Sequence, residues 1–208
     1  MLLPIFGMVI FVLLYFFAAM LYPGGSDAFP NKPGFSFIHN YLCDLLDVQA
    51  INGELNTSRA LAIVALGILC TSLILLWFYL PVIFTTKSVN QKITLVTGVA
   101  SLGMTVFLSS VNHDLILRIA GSFGVITLLS VLIELFKIRF FKLFGWGVFC
   151  LFIFLGNYYV YETGSLIRAL PLIQKVTFLS FIGWFVVLNL VVYRKYRARL
   201  QDRRIRWH

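Results

Sequence analysis

Ionised side chains are scarce in this chain. Asp, Glu, Lys and Arg together make up 12% of its 208 residues, where a soluble domain carries about a quarter. A soluble fold with 60% hydrophobic residues would expose a large apolar surface to water. The composition therefore excludes an ordinary water-soluble globule. Cysteine is also sparse, at three residues (Cys43, Cys70, Cys150) with no CxxC spacing, so neither a disulfide framework nor a zinc ribbon is implied. The opening MLLPIFGMVIFVLLYFFAAML has no basic n-region and no clear cleavage site. It reads as a retained membrane helix. The net charge of +9 sits in short runs between apolar segments and in the tail, a pattern that argues against nucleic acid as a partner.

What is abundant is long apolar runs. Crossing a bilayer takes about 20 mostly apolar residues. Six stretches meet this, at 2–22, 60–84, 92–110, 115–136, 142–161 and 175–193. Backbone groups in hydrocarbon must pair internally, so these are predicted helices. The alternating ten-residue signature of an outer-membrane barrel is missing. With six spans both termini share one side. That side collects Lys87, Lys92, Lys137, Arg139, Lys142 and the tail residues from Arg194 to Arg206, twelve of the seventeen basic residues. The positive-inside rule then makes both termini cytoplasmic.

The first outer loop, 23–59, is long for a compact membrane domain, and long loops tend to carry function. It opens on Pro23, Gly24 and Gly25, a strong helix stop. Within it, FSFIHNYLCDLLD (35–47) holds one of three histidines and two of eight acids. At helical spacing Phe37, Ile38, Tyr41, Leu42, Leu45 and Leu46 form an apolar stripe, while His39, Cys43 and Asp47 fall at i, i+4 and i+8. The pattern predicts a short amphipathic helix lying on the outer membrane surface.

Other polar residues gather at the same predicted face. SSVNHDLILR contributes Asn112, His113, Asp114 and Arg118, and the end of the fifth run contributes Tyr158, Tyr161 and Glu162. Asn56 and Arg59 flank the second run, and Asn56-Thr57-Ser58 forms a glycosylation sequon. Polar groups near a membrane are costly unless they pair or do work. The expected site is thus an outward-facing polar mouth of His39, Asn40, Asp44, Arg59, Asn112, His113 and Asp114. In it Asp44, Arg59 and Asp114 hold the loop down or grip a headgroup, and the histidines exchange hydrogen bonds. There is no HExxH, HxxxH or GxSxG, so no metal, cofactor or nucleophile is assigned. The third run, with Gly98, Ala100, Ser101 and Gly103, is read as the central, most buried helix, because small residues allow close approach. Glu134 and Lys137 are read as a local i, i+3 pair.

The stretch NYLCDLL, preceded by YPGGS and followed by NGELNTSRALAIVAL, resembles the DRAM-like six-span membrane proteins over residues 22–66. Asn40, Asp44 and Leu45 occupy the matching positions, and Cys43 stands where those proteins more often have Ser. The resemblance implies a six-helix architecture and no settled activity. Ceramidase-like membrane hydrolases are similar in oiliness, yet they carry seven spans and a late HxxxH pair that this chain lacks.

The sequence therefore predicts an all-α, polytopic integral membrane protein in the cell inner (plasma) membrane. It is a six-helix transmembrane bundle with a short amphipathic helix in its first outer loop and a basic cytoplasmic tail. The expected function is non-enzymatic: binding of a lipid, another amphiphile or a partner membrane protein. The alternatives are a membrane-embedded lipid hydrolase or transferase using His113 and Asp114, and a structural subunit of a larger membrane complex.

Overall fold

The computed structural model describes residues 1–84, 86–109 and 113–205, with the side chains at 108, 109, 113 and 202–205 excepted. Six α-helices follow one another: α1 (Leu3–Leu21), α2 (Arg59–Tyr79), α3 (Val89–Thr105), α4 (His113–Lys137), α5 (Phe141–Thr163) and α6 (Leu170–Ile205). Among the described residues there is no strand, only two isolated bridges inside the first loop, Gly24 with Pro33 and Gln49 with Leu55. Pro4 opens α1, where its missing N–H costs nothing, and the Ser88 hydroxyl accepts from Gln91 N–H to cap α3.

Five helices are long and apolar enough to cross a membrane; α3 is the exception, at 17 residues. The predicted third span of 92–110 is thus cut short. Its α-helix stops at Thr105 and passes into a 3-10 turn, Val106–Ser109. Nor is α3 the central helix. Only Thr94 and Gly98 of it are buried, whereas α2 buries eight residues from Ala62 to Trp77. The small residues of α3 do serve close packing, but at the flank. Thr97 and Thr127 hydroxyls meet at 2.7 Å, and Ser101 Oγ donates to Ala120 O of α4 at 2.8 Å. Gly98 lies under Trp77, whose indole Nε1 stands 2.7 Å from where a Cβ would be.

Successive helices pack as antiparallel neighbours, and α2 reaches α1, α3 and α6. The main core joins Met8 and Phe11 of α1, Leu69 to Trp77 of α2, Leu128 to Leu135 of α4, Cys150 of α5 and Trp184, Leu188 and Val192 of α6. One end of the bundle carries the first loop. The other brings the C-terminal part of α6 to the end of α2, where Arg199 donates to Phe84 O at 3.0 Å. At this end Glu134 accepts from Lys137 at 2.8 Å, the expected local pair, and from Asn90 of α3 at 3.0 Å. Outside these contacts the helices keep large apolar side chains exposed, among them Phe6, Phe16, Phe17, Phe78, Phe152 and Leu179.

Two substitutions test this packing. Gly98→Val drives a branched side chain into Trp77 and is expected to lower stability by about 1–3 kcal/mol. Gly103→Ala, which meets nothing within 4 Å, is neutral or slightly stabilising. Asn189 of α6 is fully buried, and neither amide atom has a hydrogen-bond partner among the described residues. Asn189→Leu removes that desolvated amide and is expected to stabilise by about 1–3 kcal/mol. Thermal melts in detergent read all three.

Candidate functional site

The segment 35–47 does not form the amphipathic helix its spacing predicts. It makes a turn at 36–40 and a single 3-10 turn, Cys43–Leu46. The reason is local competition. Asn and Asp side chains offer the backbone partners that a helix would otherwise supply. Asn40 Oδ1 accepts from Ser36 N–H at 2.9 Å, and Asp44 Oδ2 accepts from Tyr41 N–H at 2.9 Å. The predicted stripes are rearranged as a result. Asn40 and Asp44 are buried, whereas Phe37 and Ile38 are exposed and His39 is half-buried, edge-on to Phe29 at 5.0 Å between centroids.

Residues 22–58 instead fold into a cap over the ends of α1, α2 and α6. Its apolar floor is Leu45, Leu46 and Ala50 against Ala18, Ala19, Tyr22 and Ala62. Its polar centre is Asn40, whose Nδ2 donates to Gly25 O at 2.7 Å and to Asp44 Oδ2 at 2.8 Å. Asn56 repeats the device: Nδ2 donates to Asp44 O at 3.0 Å and Asp47 O at 2.9 Å, and Oδ1 accepts from Ser58. An Asn56 so engaged and so buried cannot carry a glycan in the folded protein, although it heads a sequon. Gly25 is required by its left-handed φ of +86° and by crowding, since a Cβ would stand 2.5 Å from Asn52 N.

Three elements tie the cap down. On α2, Arg59 Nε donates to Leu46 O at 3.1 Å. On α1, the Tyr15 hydroxyl donates to Leu42 O at 2.8 Å, and Leu21 O accepts from Thr57 at 2.6 Å. On α6, Gln174 Oε1 accepts from Leu42 N–H at 2.9 Å, and Lys175 Nζ donates to Asn40 O at 2.5 Å and to its own helix at Pro171 O at 3.0 Å. Gln174 and Lys175 are absent from the residues selected by sequence. The only available signal was a lysine and a glutamine placed at the very start of an apolar run.

The predicted mouth therefore divides. Asn40, Asp44 and Arg59 come together in the cap, and His39 sits on its rim. Asp114 belongs to a second group at the ends of α4 and α5, where Tyr161 pairs with its side chain and Arg118 bridges to Glu162 at 2.9 Å. Asn112 and the His113 side chain lie outside the described residues. Among the described residues no three of His, Cys, Asp and Glu gather in metal-binding reach. Burial pushes the Cys43 thiol up to about 12, with Asp44 and Asp47 adding to the effect; a thiol held so far from ionisation is a poor nucleophile.

Beneath the cap lies an apolar groove of about 170 Å³ between α1 and α6. Phe11, Tyr15, Phe35, Leu42 and Phe178 are among its walls, and Lys175 is the single charged residue among the described ones lining it. The Lys175 ammonium stands 5.7 Å from the centre of the Phe35 ring, within cation–π range. No protein-family model, curated protein or solved structure matches the chain. What the fold and the cap define is a class: an all-helical bundle with five helices apolar enough to cross a membrane and a folded, polar-centred cap at one end.

Burial pushes the Asp44 carboxyl up from its ordinary 3.8 to about 6, against the hydrogen bonds from Asn40 and Tyr41 that lower it. A raised carboxyl binds its proton more tightly in the folded state, so stability falls as pH rises from about 4 to about 6. The melting temperature is expected to be higher at pH 5 than at pH 7.5, and Asp44→Asn is expected to flatten that dependence. Asn40→Ala strands the Ser36 and Asp44 partners and is expected to cost about 1–3 kcal/mol, read by the same melts.

Proposed function

We propose that the chain is a non-enzymatic integral membrane protein that binds a membrane lipid or similar amphiphile at its capped end. All six helices cross the bilayer in this reading, α3 with its 3-10 turn being the thinnest crossing, in a plasma (inner) membrane. The exposed Phe and Leu side chains on α1, α2, α5 and α6 then face acyl chains rather than water. The basic loops and the tail of α6 lie in the cytoplasm with both termini, and the cap lies outside.

One observation carries the binding reading: a half-buried lysine, Lys175, stands over an otherwise apolar groove under the cap. A cation at one end of a hydrocarbon-lined slot matches an amphiphile with an anionic or polar head. The polar residues of the cap support a non-catalytic role, because Asn40, Asp44, Asn56 and Arg59 spend their hydrogen bonds on the loop itself. A hydrolase would instead need a base free to take a proton from a nucleophile or a water.

Native mass spectrometry after purification in mild detergent tests this reading. The expected spectrum shows a lipid-sized adduct that survives detergent exchange and is unchanged in His113→Ala. Stoichiometric metal that disappears in His113→Ala, together with turnover of added lipid, would replace binding by catalysis.

A further inference from the structure

We infer that the seam between α1 and α6 holds one acyl chain of a membrane phospholipid whose phosphate rests on Lys175. This rests on the amphiphile-binding reading and names its ligand class and seat.

The groove under the cap is not isolated. A second apolar cavity of about 180 Å³ follows it along the same two helices, lined by Met8, Val9, Val12, Leu13, Ile182 and Val186. Val12 belongs to both. On α6 the residues Lys175, Leu179, Ile182 and Val186 recur at i, i+4, i+7 and i+11, a single helix face. The two cavities are therefore one seam. It exists because α1 packs along α2 and touches α6 only sparsely. The seam opens sideways: Val12 is 40% exposed, Phe16 52% and Leu179 62%. In the proposed orientation that opening faces lipid.

Dimensions choose the occupant. From Lys175 to Val186 the seam runs about 16 Å at 1.5 Å per residue, roughly half of a hydrocarbon core about 30 Å thick. That is the depth of one leaflet, and so of one acyl chain. Chemistry places the head. Lys175 directs two of its three ammonium protons to Asn40 O and Pro171 O. The third has no hydrogen-bond partner among the described residues. The cap-side aromatics Phe35 and Phe37 line the groove beside it, so the ammonium is the one charge lining the groove among the described residues, and an anionic phosphate head complements it. Lys175 is the sixth residue of α6, at the depth where a headgroup meets its chains.

The test compares retained lipid in wild type, Val12→Trp and Lys175→Met by native mass spectrometry and lipid extraction, with thermal melts confirming that each variant folds. Val12→Trp fills the seam from a half-exposed position and leaves the cap's hydrogen bonds intact. It is expected to reduce retained phospholipid at least tenfold, and Lys175→Met several-fold. If wild type keeps a phospholipid that both variants keep equally, the seam assignment falls and amphiphile binding stands. A fatty acid in place of a phospholipid, or a membrane protein lost in Val12→Trp, also overturns the assignment. If wild type retains no amphiphile, the binding reading itself falls.

Discussion

One amide holds the capped end of this protein together. Asn40 accepts from Ser36, donates to Gly25 and donates to Asp44, while its own backbone carbonyl receives Lys175 from α6. The loop around it has almost no regular structure, so its buried N–H and C=O groups have no ladder to fall back on. Side-chain amides take the place of that ladder. Asn40 and Asn56 each present an acceptor and two donors on one planar group, the acceptor and donor of a peptide unit with one donor more. Fixing such a loop opposes about 1–2 kcal/mol of backbone entropy per residue. Only a fully satisfied network over an apolar floor offsets that cost, and a half-satisfied one would be worse than none.

The length and oiliness of the helices could be read directly, because hydrophobic runs of 19 residues or more have no other stable form in this composition. The third helix misled for a definite reason. Its Gly and Ser residues predict close approach, which they make, with Trp77 and with α4, yet close approach to two neighbours does not put a helix at the centre. α2 sits there instead, in contact with α1, α3 and α6 and burying eight residues from Ala62 to Trp77. The segment 35–47 misled by periodicity. Its apolar positions match a helix, but Ser36, Asn40 and Asp44 are spaced four apart, and that spacing also suits side chains closing turns on their own backbone. Of the residues selected from sequence, Asn40, Asp44 and Arg59 fall in one network, while Asp114 belongs to another at the ends of α4 and α5. Lys175 escaped notice because its importance is a matter of tertiary position, 135 residues from the carbonyl it meets.

The cap and the seam are mechanically one object. α1 and α6 have few direct contacts, and the cap bridges them, through Tyr15 on one side and Gln174 and Lys175 on the other, with Leu42 as the shared anchor. Leu42, Leu45, Phe35 and Phe37 belong to the cap and at the same time wall the groove below it. The separation of the two helices is thus set by the cap's hydrogen bonds from above together with the packing of Phe11 of α1 on Phe178 of α6, whose ring centres lie 5.4 Å apart. In the proposed reading an acyl chain lies along a seam already walled by the cap and the two helices, which is the condition for binding without a large reorganisation cost. The same cap carries Asp44, the carboxyl whose proton affinity burial raises most clearly, one hydrogen bond away from the residue that holds Lys175 in place.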